Sequence, residues 1–272
     1  MRVALCFNGL VGSTRGKSEQ LIGDFEKCFD ISSELYKKHI IGKSDVDVFV
    51  HSWSVSLADK IVETYKPKKH IIEPQEIFSV PDYIEPIGRD MVRKQTHYSL
   101  WKSRQKSVQL KKDYEKENGF KYDCVMVTRF DLAWQSDLIF KDYDPEFFWT
   151  QKWPKKILNG RMLKDLEYWK ICEKGYELET KWWGYPHNKD GLLGMWFMSN
   201  SENIDKFVTL YDRLGEYSKS GQCPVDESGR ISAHQQSLYH LEKIGLLDKL
   251  RFCDKNWHDD CPTVRRKYFK EK

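Results

Sequence analysis

An arginine and a carboxylate sit two residues apart at the end of a short apolar run, Tyr122-Asp123-Cys124-Val125-Met126-Val127-Thr128-Arg129-Phe130-Asp131-Leu132. A valine-rich run of that length suits a buried central strand better than a helix. Alternate side chains share a face along a strand, so Arg129 and Asp131 are expected to point one way and Phe130 the other. In open α/β sheets, ligands bind just beyond the carboxyl ends of the strands. A cation and an anion on one rim there can hold a phosphate and a metal ion together. The same two residues can equally form a plain ion pair that closes a strand end.

A second stretch with chemical potential is Asn8-Gly9-Leu10-Val11-Gly12-Ser13-Thr14-Arg15-Gly16-Lys17-Ser18. Its end resembles a phosphate-binding loop. That pattern needs a glycine five places before Gly16, where Val11 stands, and Gly12 is one residue too close. A looser use keeps Arg15 and the backbone amides at a helix start, where an anion is favoured. A third feature is aromatic: Trp134, Trp149, Trp153, Trp169, Trp182 and Trp183 crowd residues 132–188. Such a cluster is either a saccharide-binding platform or the filling of a satellite core. Cys253, His258 and Cys261 lie close together, but their spacing matches no standard zinc module.

The elements that must position these residues follow from periodicity. Arg2 to Phe7 reads as a strand, and Leu21, Ile22, Phe25, Cys28 and Phe29 give the stripe of a following helix. Val46 to Val50 is a second strand ending in His51-Ser52-Trp53. Ala58, Ile61, Val62 and Tyr65 mark a short helix, capped near Ser56 and Asp59 and stopped by Pro67. His70 to Ile72 is a third strand. A long polar helix spans Arg93 to Asn118, with Gly119 as its stop. After the strand ending at Arg129, Leu192 to Met198 reads as a strand and Asn203 to Tyr217 as one helix. Ser232-Ala233-His234-Gln235 has the form of a capping box and opens a helix through Ile244. Leu250 to Phe252 reads as an edge strand, Asn256 to Asp260 as a polar tail over the cleft, and Arg265 to Lys272 as a frayed basic end. Alternating strands and helices with valine-rich strands predict an α/β fold: a mostly parallel central sheet flanked by helices, in a Rossmann-like single domain over 1–272.

Composition bounds the class. The chain has 272 residues, 40% of them hydrophobic and 32% charged, as expected of a soluble globular protein. Its 45 basic and 41 acidic residues leave a net charge of +4, too mild and too scattered to indicate nucleic acid. No apolar run reaches the roughly 20 residues needed to span a bilayer. Seven cysteines without a CxxC pair read as reduced, cytoplasmic usage.

Taken together, four segments resemble the small nucleotide-sugar-dependent glycosyltransferases of viral and bacterial polysaccharide systems, which have a GT-A type fold. They are the first strand with Gly9 and Arg15, Asp47-Val48-Phe49-Val50-His51-Ser52-Trp53, Tyr98-Ser99-Leu100-Trp101-Lys102-Ser103 followed by Tyr114-Glu115 and Tyr122-Asp123, and Val127-Thr128-Arg129-Phe130-Asp131-Leu132. The resemblance implies transfer of a sugar from a nucleotide-sugar donor to a saccharide hydroxyl. It implies a donor-binding half over about 1–132 and an acceptor-binding half over about 133–272. Asn8, Gly9, Arg15, His51 and Trp53 would line the nucleotide pocket, with Lys102, Ser103 and Arg129 reaching the donor. Asp190, beside Gly191, would be the base for the acceptor hydroxyl. The family's Asp-x-Asp pattern holds a divalent metal, Mn or Mg, but its first position here is Arg129. Asp131 remains as a ligand, with His258 as a further one. Two other readings remain open: a P-loop-like kinase or sulfotransferase built on Gly12 to Ser18, and a non-catalytic carbohydrate-binding module built on the tryptophans.

Overall fold

In a computed structural model of the chain, the described residues are 1–12, 22–79, 91–152, 154–158, 161–162, 179–182, 191–224, 231–257 and 259–269. The strands are β1 (Val3–Gly9), β2 (Val46–Ser52), β3 (Lys69–Ile72), β4 (Cys124–Arg129), β5 (Phe148–Lys152), β6 (Pro154–Leu158), β7 (Arg161–Met162), β8 (Glu179–Trp182), β9 (Trp196–Ser199) and β10 (Leu250–Asn256). Seven of them form one sheet in the order β10-β5-β9-β4-β1-β2-β3. β1 runs parallel to both β2 and β4, β2 parallel to β3, and β5 parallel to β10. β9 alone opposes its neighbours, β4 and β5. The expected α/β architecture with a mostly parallel sheet is therefore present. β6, β7 and β8 form a small antiparallel sheet that the aromatic-rich region did not announce.

The helices are α1 (Ile22–His39), α2 (Ala58–Tyr65), α3 (Met91–Asn118), α4 (Ser201–Phe207), α5 (Leu210–Tyr217), α6 (Ala233–Lys243) and α7 (Val264–Tyr268). Two-residue alternation sorts the central strands between two cores. Val3, Leu5, Phe7, Cys124 and Met126 pack with Phe29 and Tyr36 of α1 and Ile61 and Tyr65 of α2. Ala4, Cys6, Val125 and Val127 pack with Trp101 and Val108 of α3, Phe207 of α4 and Leu241 of α6. Burial on both faces is why these strands read as unbroken apolar runs. Phe130 joins the first core, its ring stacked 4.9 Å from Phe7.

Several local expectations change. α2 has no side-chain cap; a 3-10 turn over Val55–Leu57 leads into it, and Lys66 closes it in the left-handed region before Pro67. The segment expected as one helix over Asn203 to Tyr217 is two, because the chain turns at Val208 and Thr209, and Asn200 caps the first. The Ser232–Gln235 capping box is present in both directions. The expected edge strand extends through Asn256 and does lie at the sheet edge. Within the expected frayed end, α7 runs through Tyr268, anchored by Val264, which is fully buried beside Cys28 and Ala133, and residues 270–272 lie outside the described residues. Of the clustered tryptophans, Trp134 is a core residue and Trp149 packs partly buried against the same core. The side chains of Trp153, Trp169, Trp182 and Trp183 lie outside the described residues. No helix among the described residues is long and apolar enough to cross a membrane.

Among the described residues four histidines are buried, His39, His51, His97 and His240, and burial shifts the last three. Burial pushes His97 down to about 3, aided by the positive charges of His234 and Arg104. Burial pushes His240 down to about 4 and also lowers His51, against partial compensation from Glu73. All three fold neutral but charge readily when unfolded, so the unfolded state binds more protons below pH ~6.5. Stability is therefore full above that pH and is lost as pH falls towards about 4, where His240 charges in the fold as well. Urea unfolding at pH 7, 6 and 5 should show stability falling by up to about 1.4 kcal/mol per pH unit for each histidine. A flat profile over that range would contradict the buried neutral assignment.

Candidate functional site

The carboxyl ends of β1, β2 and β4 meet on one edge of the sheet, and α3 crosses them. Register puts Asn8 beside both His51 and Arg129, and Gly9 beside Ser52. Three of the residues expected to line a nucleotide pocket are thus neighbours by backbone pairing alone. The Asn8 carboxamide donates to the Thr128 carbonyl at 2.6 Å, while its oxygen is buried without a partner.

Ser103 ties α3 to the strand ends. Its hydroxyl accepts the Gly9 N–H at 2.6 Å and lies 2.6 Å from His51 Nδ1. His51 Nε2 is 3.1 Å from Glu73 Oε1. With His51 neutral, the assignment that satisfies each group has Ser103 donating to Nδ1 and the Nε2 proton going to Glu73. Glu73 also accepts from Lys106, whose hydrogen bond leads in holding the Glu73 carboxyl below its usual range. Ser103 and His51 are both fully buried, so this relay fixes the β1 and β2 ends and is shielded from substrate. Trp53 is also buried, its ring edge-on to His51 at 4.4 Å.

Arg129 and Asp131 form the pair at the end of β4. Arg129 Nε donates to Asp131 Oδ1 at 2.8 Å and its Nη2 to Oδ2 at 2.6 Å. Burial works against the Arg129 charge, but Asp131 more than offsets it and raises the Arg129 pKa. The Arg129 side chain keeps 34% exposure against 11% for Asp131, so the arginine is the more accessible member of the pair. The Tyr36 hydroxyl donates to the Arg129 carbonyl at 2.6 Å and holds the strand end from below.

Gly12 closes the other side. It has φ +93°, and a Cβ there would stand 2.5 Å from the Asp131 Cβ and 2.9 Å from Cys28 Sγ. The first turn of the glycine loop thus packs directly on the Asp131 side chain. Gly12→Ala is expected to cost about 2–4 kcal/mol, combining left-handed strain with overpacking. Thermal unfolding checks this, and an unchanged melting temperature would mean that the loop does not rest on Asp131.

Other expected site residues are placed differently. Lys102 turns away from the strand ends: on a helix it lies about 100° from Ser103, and its Nζ sits 4.6 Å over the Tyr211 ring. Arg15, Asp190 and His258 lie outside the described residues, as do Lys17 and Ser18 of the phosphate-loop reading. Gly191, next to Asp190, is described. It has φ +83°, and the His234 backbone lies where its Cβ would be. Leu192 N–H bonds the His234 carbonyl at 2.9 Å, which pins the segment after Asp190 to the start of α6. Cys253 and Cys261 are buried, and burial raises both thiols, Cys253 to about 12.

Periodicity did not reveal Arg104 or His97. Both lie on the sheet-facing side of α3, seven residues apart, with Arg104 1% exposed and His97 6%. A charged residue in a polar helix reads as solvated, so the only available signal was the spacing of seven from His97 to Arg104 to Lys111. An open depression of about 800 Å³, lined by Lys112, Lys116, Phe120 and Lys121, lies near the start of β4, at the opposite end of the strands from these groups.

The resemblance implied a metal on Asp131 and His258. Among the described residues no three His, Cys, Asp or Glu side chains gather to hold one. Both Asp131 oxygens already accept from a guanidinium. A hard divalent ion needs about six oxygens and no adjacent fixed cation. The described residues therefore do not fit a divalent metal at Asp131.

No family model matches the chain, and no curated protein matches it in sequence. Among solved structures it is similar to a protein described as a nucleotide-diphospho-sugar transferase from Desulfovibrio desulfuricans G20. The identity is 10% over 93% of this chain and 79% of that one, with a TM-score of 0.41. It is also similar to a nucleoside-diphosphate-sugar pyrophosphorylase from Vibrio cholerae RC9. There the identity is 11% over 97% of this chain and 95% of that one, with a TM-score of 0.43.

Proposed function

We propose that the chain is a glycosyltransferase of GT-A type that moves a sugar from a nucleotide-sugar donor to a saccharide hydroxyl. The observation that carries this reading is the meeting of Asn8, Gly9 and the Arg129–Asp131 pair at the carboxyl ends of three parallel strands, braced from α3 by Ser103. That edge is where α/β sheets bind ligands. It offers the partly exposed Arg129 side chain for phosphate oxygens and the unpaired Asn8 carboxamide oxygen for a base or ribose donor.

In the reaction the acceptor oxygen attacks the anomeric carbon and the bond to the diphosphate breaks. The acceptor proton goes to Asp190, the proposed base beside the pinned Gly191 turn. The nucleoside diphosphate leaves with its developing charge next to Arg129. Residues beyond about 133 would form the acceptor side.

A thermal-shift screen of UDP-, GDP-, CMP- and dTDP-sugars tests the reading. A donor at 100 times its dissociation constant adds about 2.7 kcal/mol to the native state, a rise of several degrees. One nucleotide class should produce it, and Arg129→Gln should remove it. The absence of a shift with every one of these donors would refute the proposal.

A further inference from the structure

α3 carries a stripe of buried basic residues on its sheet side, His97, Arg104 and Lys111, spaced seven apart. Lys111 provides an internal comparison. Its ammonium donates to Glu115, Ser201 and Asp205, so each of its three N–H groups has an acceptor. Arg104 is as deeply buried but donates only to the Gly194 carbonyl, through Nη2. Its Nε and Nη1, which together carry three N–H bonds, have no partner, and neither has His97 Nε2. No carboxylate among the described residues pairs with Arg104.

The position of this unpaired guanidinium is fixed. It lies over the Trp101 ring at 4.5 Å and the Phe197 ring at 5.2 Å. The turn that it bonds also supports the end of β4, because the Met195 carbonyl accepts the Arg129 N–H at 3.4 Å. Gly194 leaves room for the head group, since a Cβ there would stand 3.3 Å from Nη2. Arg104 and Arg129 thus both bond one short turn, Arg104 through its guanidinium and Arg129 through its backbone N–H. Burial, and then the charge of Arg129, pull the Arg104 pKa down to about 9, which still leaves it a cation at neutral pH. A buried charge without a counter-ion is unfavourable in the free protein. An anion placed between the two side chains removes that cost, and phosphate oxygens match the planar donor fork.

We infer that Arg104 and Arg129 form a two-guanidinium cradle for a diphosphate, and that these side chains balance its charge without a divalent cation. As a statement about the donor, the inference rests on the reading of this site as a nucleotide-sugar pocket. It assigns Asp131 the task of orienting Arg129, in place of a metal ligand's role. Arg104 becomes a binding residue, kept at the expense of the free fold.

Inorganic pyrophosphate titrated into the full chain in EDTA tests the cradle, by calorimetry and by thermal shift. It should bind and raise the melting temperature, whereas sulfate at equal ionic strength should not. Arg104→Met should weaken pyrophosphate at least tenfold and leave the melting temperature of the free protein unchanged or higher. A structural role would instead lower it. Arg104→Lys keeps the charge without the fork, should weaken pyrophosphate several-fold, and decides alone if the methionine variant does not fold. Binding that requires Mn²⁺, or that survives both substitutions undiminished, overturns the inference. Nucleotide sugars that shift the protein only with Mn²⁺ would overturn the cradle and leave the donor reading standing. Pyrophosphate bound through Arg104 in a protein that ignores all nucleotide sugars would support the cradle and refute the donor reading.

Discussion

Lys111→Met should destabilise the protein by about 3–5 kcal/mol, the usual consequence of removing one partner from a buried ion pair. Lys111 is fully buried and Glu115 is 1% exposed. The ammonium lies 3.1 Å from Glu115 Oε2, 2.7 Å from Asp205 Oδ1 and 2.5 Å from Ser201 Oγ. Glu115 further accepts the Tyr122 N–H at 2.9 Å and the Ser201 hydroxyl at 2.7 Å. Burial opposes the Glu115 charge, but these donors and the lysine outweigh it and hold its pKa low. Without Lys111, two carboxylates face each other with only Lys121, a mostly exposed side chain, nearby. For a chain of this size the loss is roughly 10 °C or more in melting temperature. Replacing Lys111, Glu115 and Asp205 together by apolar residues should recover much of it, because no orphan charge remains. Urea unfolding of the single and triple variants checks both statements. A single variant that melts within a degree of the parent would show that the network contributes little. Glu115 adds an acid limb of its own: its depressed pKa contributes stability above its unfolded value and loses it as pH falls below.

The contrast between Lys111 and Arg104 shows what the sequence could and could not reveal. The strands β1, β2 and β4 were legible because burial on both faces gives continuous valine-rich runs. The α6 start was legible because a capping box is local, with Ser232 and Gln235 three residues apart. The Arg129–Asp131 pair was equally local. Beyond Glu115 on the same helix, the Lys111 partners come from α4, 90 or more residues away, and the carbonyl that Arg104 bonds comes from the turn before β9. A window of a dozen residues contains none of these distant partners, so a buried base and a solvated one look alike. The insertion of β9 between β4 and β5 is likewise non-local. It decides where Gly194 and Met195 fall, and so where Arg104 points. Lys102 was misplaced for a related reason: its neighbour Ser103 faces the strands, and one step along a helix turns a side chain by about 100°.

Arg129→Asp should make anion binding at this site depend on a divalent metal. The substitution puts a second carboxylate where the resemblance expects the first aspartate of Asp-x-Asp, two residues before Asp131. It changes the local charge by two. At a separation of about 4 Å and an effective dielectric of about 20, two like charges repel by about 4 kcal/mol. The free variant should therefore melt roughly 10 °C below the parent, and one of the two carboxyls should take up a proton near neutral pH. Pyrophosphate binding in EDTA should fall at least a hundredfold, because Arg104 alone then faces two carboxylates. Mn²⁺ should raise the melting temperature of the variant and restore part of the pyrophosphate affinity, since a hard ion can bridge two carboxylates and phosphate oxygens. The parent should gain neither from Mn²⁺. Arg129→Lys should fall between the two, retaining a positive charge without the two-point grip on Asp131. The decisive comparison is the difference in Mn²⁺ response between Arg129→Asp and the parent. A variant that binds pyrophosphate in EDTA as tightly as the parent would show that residue 129 does not face the anion. A parent that responds to Mn²⁺ as strongly as the variant would return Asp131 to the role of a metal ligand.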